Sequence, residues 1–446
     1  MKNKILCISL GLCLGAVGAY ADERTDSTNS DSASANSMSA DSTNTDSANA
    51  DSANANFMHE HSMSADSAKN ANSAKNLDST SPFAEHFKKN YTYNAQVGAQ
   101  YSQGYNGNGT SFQSLYAYLG FEGVEFERIR FGLSAMGSVD LGSKVTHYES
   151  MLGANATLYQ AFLGYTSDYF DLSAGREAVD LEWVSDYIEG ARFAIKVPQA
   201  DTKINAYWFV RQGTADYNEI VQFDSNKVGH TVIAGIENNS YKPLALEAYF
   251  INLQSKQERP SYLGAWVGAT LNVGNELVAS STTIKYSYFH PKAQDFLDAH
   301  FLDVAEHLEF AVADLHQVNL TLGVMKVFNK KAESGETLPF YEIGNRRPIN
   351  KGYKYFYGTN ALTAYVGLGY GFAENFDIDL IYGNISGLNG NIKSEATTSP
   401  INAVDLVVTG KYAGAEISAK YRKLINNGKG EKVDRDYFET YIAYNF

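Results

Sequence analysis

The residues of this sequence that could do chemistry are fixed charges carried by short segments with a period of two. Basic residues recur at alternate positions of several segments, and acidic residues cluster in one stretch between two of them. Such side chains make and break no bonds, but along a passage they orient dipolar solutes and select ions. The basic set is Arg128, Arg130, Arg192, Lys196, Arg211, Lys285, Lys411, Lys420 and Arg422, and the acidic set is Glu177, Asp180, Glu182 and Asp186.

The common motifs of catalytic and cofactor sites do not occur in the sequence. It has no Gly-x-Ser-x-Gly, no His-Glu-x-x-His and no phosphate-binding loop. We therefore predict no catalytic residue, no metal site and no cofactor, and we do not expect an enzyme. The chain has 36 Lys+Arg against 50 Asp+Glu. This acidic balance argues against nucleic acid as a partner, since phosphates need a basic face.

The first 21 residues have the features of a secretory signal peptide. Two lysines precede an apolar run over 5–18, and residues 19–21 have the small-x-small form of a cleavage site. The run is too short to span a bilayer, and no later apolar run approaches 18 residues. Both cysteines, Cys7 and Cys13, lie in this leader. The mature chain is therefore expected to contain no disulfide and no cysteine nucleophile.

The remaining chain has two compositional regimes. Residues 22–82 consist almost entirely of Asp, Ser, Ala, Asn, Thr and Met, with short internal repeats and an excess of acidic residues. Such a segment buries too little apolar surface to offset its chain entropy, so we predict a disordered, acidic, low-complexity tail. Residues 83–446 are rich in aromatic residues and glycine and form the predicted folded domain.

Period-two segments recur throughout 83–446, and eighteen can be placed. Ile129, Phe131 and Leu133, for example, share one face of such a segment. Short turns alternate with long loops, which is the layout of an outer-membrane barrel. We predict an all-β fold, a transmembrane antiparallel barrel of 16–18 strands. A soluble sandwich or propeller would need a face denser in Val, Leu and Ile. One of the strands is predicted at 339–347, and the apolar spacing of 292–312 predicts a helix in a long extracellular loop.

The last segment is the most specific feature. Phe438, Thr440, Ile442, Tyr444 and Phe446 share one face, and the chain ends at the last of them. A terminal aromatic residue with apolar residues at every second position before it resembles the assembly signal of Gram-negative outer-membrane barrels. The pattern predicts recognition of Phe446, Tyr444 and Ile442 by the barrel assembly machinery.

At 171–176 the chain reads Asp-Leu-Ser-Ala-Gly-Arg, and at 182–190 Glu-Trp-Val-Ser-Asp-Tyr-Ile-Glu-Gly. These segments resemble the strand ending in Gly-Arg, the constricting loop and the following strand start of Opr-type porins. The likeness is to porins of the Helicobacter and Campylobacter group, including the Helicobacter outer-membrane Hof family, and more distantly to OprD-like porins. The Leu-Pro of OprD-like chains is missing between Gly175 and Gly190, so their substrate preference is not carried over.

The resemblance implies an eighteen-stranded barrel in the Gram-negative outer membrane, in contact with its lipid, through which small hydrophilic solutes diffuse passively. It also implies that residues 178–186 fold inward, so their acids would face a basic wall at the narrowest section. An acidic neck would give a weak preference for cations. Two questions stay open at this point: whether the barrel is instead a surface adhesin acting through its loops, and whether it forms a homotrimer.

Overall fold

The strands form one continuous antiparallel sheet that closes on itself. The computed structural model describes residues 92–105, 110–126, 128–141, 156–184, 187–216, 219–221, 223, 229–254, 261–275, 277–292, 298–313, 315–328, 360–373, 375–387, 400–426 and 435–446. The predicted leader, the acidic tail at 22–82 and the predicted strand at 339–347 lie outside these residues. Within them, no helix is both long enough and apolar enough to cross a membrane.

The strands have the following bounds, in chain order: β1 Thr92–Tyr105, β2 Thr110–Phe126, β3 Ile129–Asp140, β4 Ala156–Thr166, β5 Phe170–Ala178, β6 Tyr187–Val197, β7 Thr202–Asp216, β8 Glu219–Val221, β9 Thr231–Tyr241, β10 Leu244–Leu253, β11 Tyr262–Gly274, β12 Val278–Pro291, β13 Ala299–Ala313, β14 His316–Phe328, β15 Leu362–Phe372, β16 Phe376–Ser386, β17 Ile401–Tyr412, β18 Ala415–Asn426 and β19 Arg435–Asn445.

The sheet closes through the first and last strands, since β1 pairs with both β2 and β19. Along the sheet each strand pairs with the next, except that β7 pairs directly with β9. The short strand β8 pairs only with residues 214–216 at the far end of β7, as a side hairpin. The wall is therefore a closed barrel of eighteen antiparallel strands, which confirms the predicted fold class and strand number.

The prediction of a helix over 292–312 is wrong, because Ala299–Ala313 forms strand β13. Helical spacing arose because the strand is apolar on both faces at one end. Phe301 is fully buried on the inner side, while Val304 is exposed on the outer side. A strand that is apolar on both faces loses the alternation that distinguishes it from a helix. The predicted number of strands was still eighteen, because the count left out β13 and included the strand predicted at 339–347.

Short turns lie at one end of the barrel, where both ends of the described chain also meet. The amide of Phe446 donates to the carbonyl of Ala95 at 3.0 Å, which fastens the C-terminus beside the start of β1. Two residues join β17 to β18, Ala413 with φ 50° and Gly414 with φ 86°. Positive φ at both positions is typical of the two-residue hairpin turn that matches strand twist. In outer-membrane barrels this is the periplasmic end.

The outer face of the barrel is an apolar belt. Large hydrophobic side chains remain exposed there, with Leu163 65% exposed, Leu368 55% and Ile442 52%. Phe438 and Tyr444 share this outer face with Ile442, as the terminal pattern predicts. Exposure of so large an apolar surface to water is unfavourable, so the belt marks the surface that contacts lipid.

A lysine at Leu368, in the middle of β15 on the outer face, should destabilise the barrel. The cost of a lysine on the lipid-facing side near the midplane is ~2–4 kcal/mol. The matched control is Gly367→Lys at the same depth on the inner face, where an added Cβ meets Thr321 and Ile381 only at 3.4–3.5 Å. Urea unfolding in lipid vesicles measures both. Equal losses of stability would contradict the assignment of faces.

Candidate functional site: the barrel interior

The segment between β5 and β6 folds into the barrel. Val179, Leu181, Trp183 and Val184 are all buried, and they join a cluster of apolar side chains from the inner faces of β6 through β18. The amide of Leu181 donates to the carbonyl of Val184 at 2.8 Å, which turns the segment back on itself. The inward position implied by the resemblance is therefore present, and the segment occupies part of the cross-section.

Trp183 anchors this segment to strands β12 and β13 across the interior. Its indole ring contacts Phe289 and Phe301 edge-on, with ring centroids 5.7 Å and 5.5 Å apart. Its Nε1–H donates to Oγ of Ser287 at 2.8 Å. The indole is wholly buried, so it contributes both apolar contact area and a satisfied hydrogen bond. An aromatic ring held in this way makes the segment a fixed obstruction.

Glu182 forms the second anchor. Lys285 on β12 donates to its Oε2 at 2.6 Å, and the Glu182 side chain is 1% exposed. Lys285 also lies 3.3 Å from Glu247. The sequence predicted that Glu182 would present its charge to the pore. The structure instead buries that charge against a lysine, where removing either partner would leave an uncompensated ion.

The other predicted acids have different surroundings. Glu177 lies at the end of β5, accepts a hydrogen bond from Ser173, and has Arg130 and Arg192 each 3.7 Å away. Asp180 is exposed on the inward segment. Asp186 lies outside the described residues. Only Asp180 of the described predicted acids is thus open to solvent.

A basic wall runs along the inner face of β3, β6 and β7. Arg130 and Arg192 lie on either side of Glu177, and Lys196 donates to Asp171 at 2.7 Å. Lys203, which the sequence reasoning missed, lies 3.9 Å from Glu237. It could have been found, because it has the same strand parity as the buried Asn205 and Tyr207 of β7.

The remaining predicted bases are distributed around the barrel. Arg128 is exposed in the turn before β3 and donates to the Tyr165 hydroxyl at 3.2 Å, so it lies at the rim instead of on the wall. Arg211 donates to Glu189, which also binds Arg176. Glu189 is in register with Arg211 and alternates with the buried Ile188, so Arg211 lies on the outer face instead of the predicted pore wall.

The bases on β17 and β18 lie beside acids of β17, β18 and β19. Arg422 is 1% exposed and makes a two-pronged ion pair with Asp405. Lys411 lies 3.9 Å from Glu416 at the turn end. Lys420 is in register with the buried Glu439 of β19. These bases line the inner face without forming a ring.

The opposite wall, from β13 to β16, is acidic and was not predicted. Asp377 and Asp379 alternate with the outward-facing Ile378 and Leu380, so they point inward. Glu309 lies on the inner face of β13, with His307 Nε2 3.2 Å from its carboxylate. These acids could have been predicted, because apolar and acidic residues alternate strictly over 376–380. The prediction instead assigned the pore acids to the cluster at 177–186.

Replacing Trp183 with alanine should loosen the inward segment and raise single-channel conductance. Truncating a buried tryptophan costs ~3–5 kcal/mol, enough to free a short segment. The control is Trp208→Ala, since Trp208 is 44% exposed on the outer face of β7. Planar-bilayer recordings compare the two. Unchanged conductance in the Trp183 variant, with the barrel still folded, would show that the segment does not narrow the passage.

Comparisons with known proteins bear on this architecture. No family model and no curated protein matches the sequence. Solved structures do match. Acinetobacter baumannii OccAB4 has a TM-score of 0.60 at 15% identity, covering 80% of this chain and 98% of its own. The outer membrane protein OpdK of Pseudomonas aeruginosa has 0.58 at 12%, covering 81% and 99%. Pseudomonas aeruginosa OccD3 has 0.57 at 11%, covering 80% and 91%.

These neighbours are OprD-type outer-membrane porins, a class of channel and not of enzyme. They support the OprD-like part of the resemblance, whereas the likeness to the Helicobacter Hof family stays a prediction. At identities this low the likeness concerns the fold. The chain therefore has the eighteen-stranded barrel fold of outer-membrane porins of the OprD type.

Proposed function

We propose that this chain is an outer-membrane channel through which small hydrophilic solutes and ions diffuse passively, with a weak preference for cations. The observation that supports it is a barrel interior with a basic wall on β3–β7 and an acidic wall on β13–β16, beside an inward segment held by Trp183 and Glu182. Barrels of ~16–18 strands are wide enough to hold water, unlike small barrels filled by their own side chains.

The charge arrangement favours cations because the interior bases are compensated. Arg130, Arg192, Lys196, Lys203 and Lys285 each have a carboxylate within 4 Å. On the described inner face of β13 to β16, by contrast, carboxylates occur and no lysine or arginine does. The formal charge of this described inner face is therefore negative. Screening over a Debye length of ~8 Å at physiological salt keeps the preference modest in a wide passage.

The two walls also produce a field across the passage. Arg192 is on β6, and Asp377 is on β16, about half the circumference away in strand order. A dipolar solute passing between them is turned so that its positive end faces the acidic wall. This arrangement needs no cofactor and makes no covalent intermediate, in keeping with a diffusion channel.

Neutralising the acidic wall should move the reversal potential across a KCl gradient toward anion preference. The variant is Asp377→Asn with Asp379→Asn, and the opposing variant, Arg130→Gln with Arg192→Gln, should move the potential toward cations. Asp180→Asn with Asp186→Asn tests the inward segment separately. If only this last pair shifts the potential, the segment sets selectivity and the acidic wall does not. A folded wild-type barrel that never conducts would favour the adhesin alternative.

Phe446→Asp should lower the amount of folded protein in the outer membrane, since it places a charge at the terminal position proposed to bind the assembly machinery. The control is Tyr412→Asp, at the end of β17 beside the turn to β18, where the aromatic side chain is 85% exposed and a charge meets water. Heat-modifiable protein in the membrane fraction is the measurement. Equal amounts of folded protein for wild type and Phe446→Asp would refute a role of the terminal aromatic.

A further inference from the structure

Three charged side chains meet on the outer face of β5, β6 and β7. Arg176 Nε donates to Glu189 Oε2 at 2.9 Å, and Arg211 Nη1 donates to Glu189 Oε1 at 2.9 Å. Glu189 is in register with both arginines, so the three residues form one row across the sheet. The row points away from the interior, because its strand neighbours Glu177 and Ile188 are buried on the inner side. We call these three residues the arginine cluster.

The arginine cluster lies at the extracellular edge of the apolar belt. Phe193 is exposed on the outer face of β6 and lies nearer the periplasmic turn than Glu189. Trp208, on the outer face of β7, lies nearer that turn than Arg211, and tryptophan is enriched at membrane–water interfaces. Measured from Thr202, the start of β7, Arg211 lies roughly 23 Å along the barrel axis for a strand tilted by ~40°. An apolar band is ~25 Å tall, so the cluster lies at the depth of lipid headgroups.

The guanidinium groups are held in place and partly open to the outside. Arg176 Nη1 donates to the carbonyl of Leu158 at 2.9 Å, and its guanidinium carbon lies 4.3 Å from the centre of the Phe223 ring. The side chains of Arg176 and Arg211 are 28% and 38% exposed. Within the described residues, Nη2 of Arg176 makes no hydrogen bond. Because this guanidinium is already ordered, a ligand that binds it pays little further side-chain entropy.

The arginine cluster carries a positive charge. Its two arginines share a single carboxylate, so one positive charge is left over. Other polar groups on the outer face differ in this respect. Lys423 lies 3.5 Å from Asp436 and forms a neutral pair, whereas Glu306 is held by two hydroxyl groups and stays negative. A site where guanidinium groups outnumber carboxylates fits an anionic ligand.

We propose that the arginine cluster binds a phosphate group of lipid A in the outer leaflet. In a Gram-negative outer membrane this leaflet consists of lipopolysaccharide, whose lipid A headgroup carries phosphate just above its acyl chains. Arginine binds phosphate through charge-assisted hydrogen bonds in a planar fork. With the phosphate on the cluster, the acyl chains meet Phe193 and Leu163, which are exposed in the belt below.

The lipid is the expected occupant because it satisfies both surfaces at once. A free anion from solution would meet the guanidinium groups but would leave the adjoining apolar surface without a partner. An uncharged lipid would cover the apolar surface and leave the excess charge uncompensated. This inference rests on the placement of the barrel in the outer membrane and not on its channel activity.

Lipid A binding to the folded protein in neutral detergent tests the proposal, with native mass spectrometry as the measurement. Arg176→Gln with Arg211→Gln should weaken the binding about tenfold, the effect of losing about one charge-assisted hydrogen bond. The matched control is Lys423→Gln, which removes an outer-face base from a neutral pair on β18 and should bind as wild type does. Equal affinity of the double variant and wild type would overturn the proposal.

Two other ligands distinguish the sources of binding. Dephosphorylated lipid A should bind wild type about as weakly as lipid A binds the double variant. If it bound as tightly as lipid A, the acyl chains alone would hold the lipid and the phosphate site would be refuted. Inorganic phosphate should not displace lipid A at equal concentration. Displacement would identify a site for a free anion and would equally reject the lipid.

A triple variant guards against loss of folding. Removing both arginines leaves Glu189 without its ion-pair partners, so Glu189→Gln is added to the double variant. Heat-modifiable migration shows that the barrel is folded. The folded triple variant should also bind lipid A about tenfold more weakly than wild type, and undiminished binding would contradict the proposal.

Discussion

The barrel interior depends on the burial of the segment between β5 and β6 against the wall formed by β12 and its neighbours. Trp183 supplies the apolar contact and a hydrogen bond to Ser287, and Glu182 supplies an ion pair with Lys285. Because both anchors lie on one short segment, its position is fixed at two points. This contact gives the interior an apolar part and a polar part, and the proposed passage for solutes lies beside the segment.

That division explains the composition of the inner face. Where the segment packs, the wall carries Phe289 and Phe301, as the core of a soluble protein would. Where it does not, the wall carries Arg192 on one side and Asp377 on the other. A water-filled barrel needs polar inner side chains, and a packed one needs apolar side chains. This barrel contains both regions, so the inward-facing side chains are apolar in one region and charged in the other.

The outer face is mostly apolar, and its polar exceptions are informative. Lipid contact requires apolar side chains, and the belt through Leu163 and Leu368 provides them. Glu306 breaks this rule at the centre of β13, held by hydroxyl groups of β12. A sequence reading that looks for polar residues inside and apolar residues outside fails on this strand, since Phe301 is inside and Glu306 is outside. That reversal produced the predicted helix.

The sequence by itself determined the barrel and the face of the last strand, because period-two alternation is a local property that reports which solvent each side chain meets. The strand number agreed only because β13, taken for a helix, was offset by the strand predicted at 339–347. It also marked the acidic segment at 177–186 and most of the basic residues of the inner wall. Only the tertiary structure decided that Glu182 is sealed by Lys285, that Arg128 lies at the rim and that Asp377 belongs to an acidic wall. Ion pairing joins residues a hundred positions apart, and closure of the sheet sets which strands face each other across the interior. Neither of these is written in the local pattern.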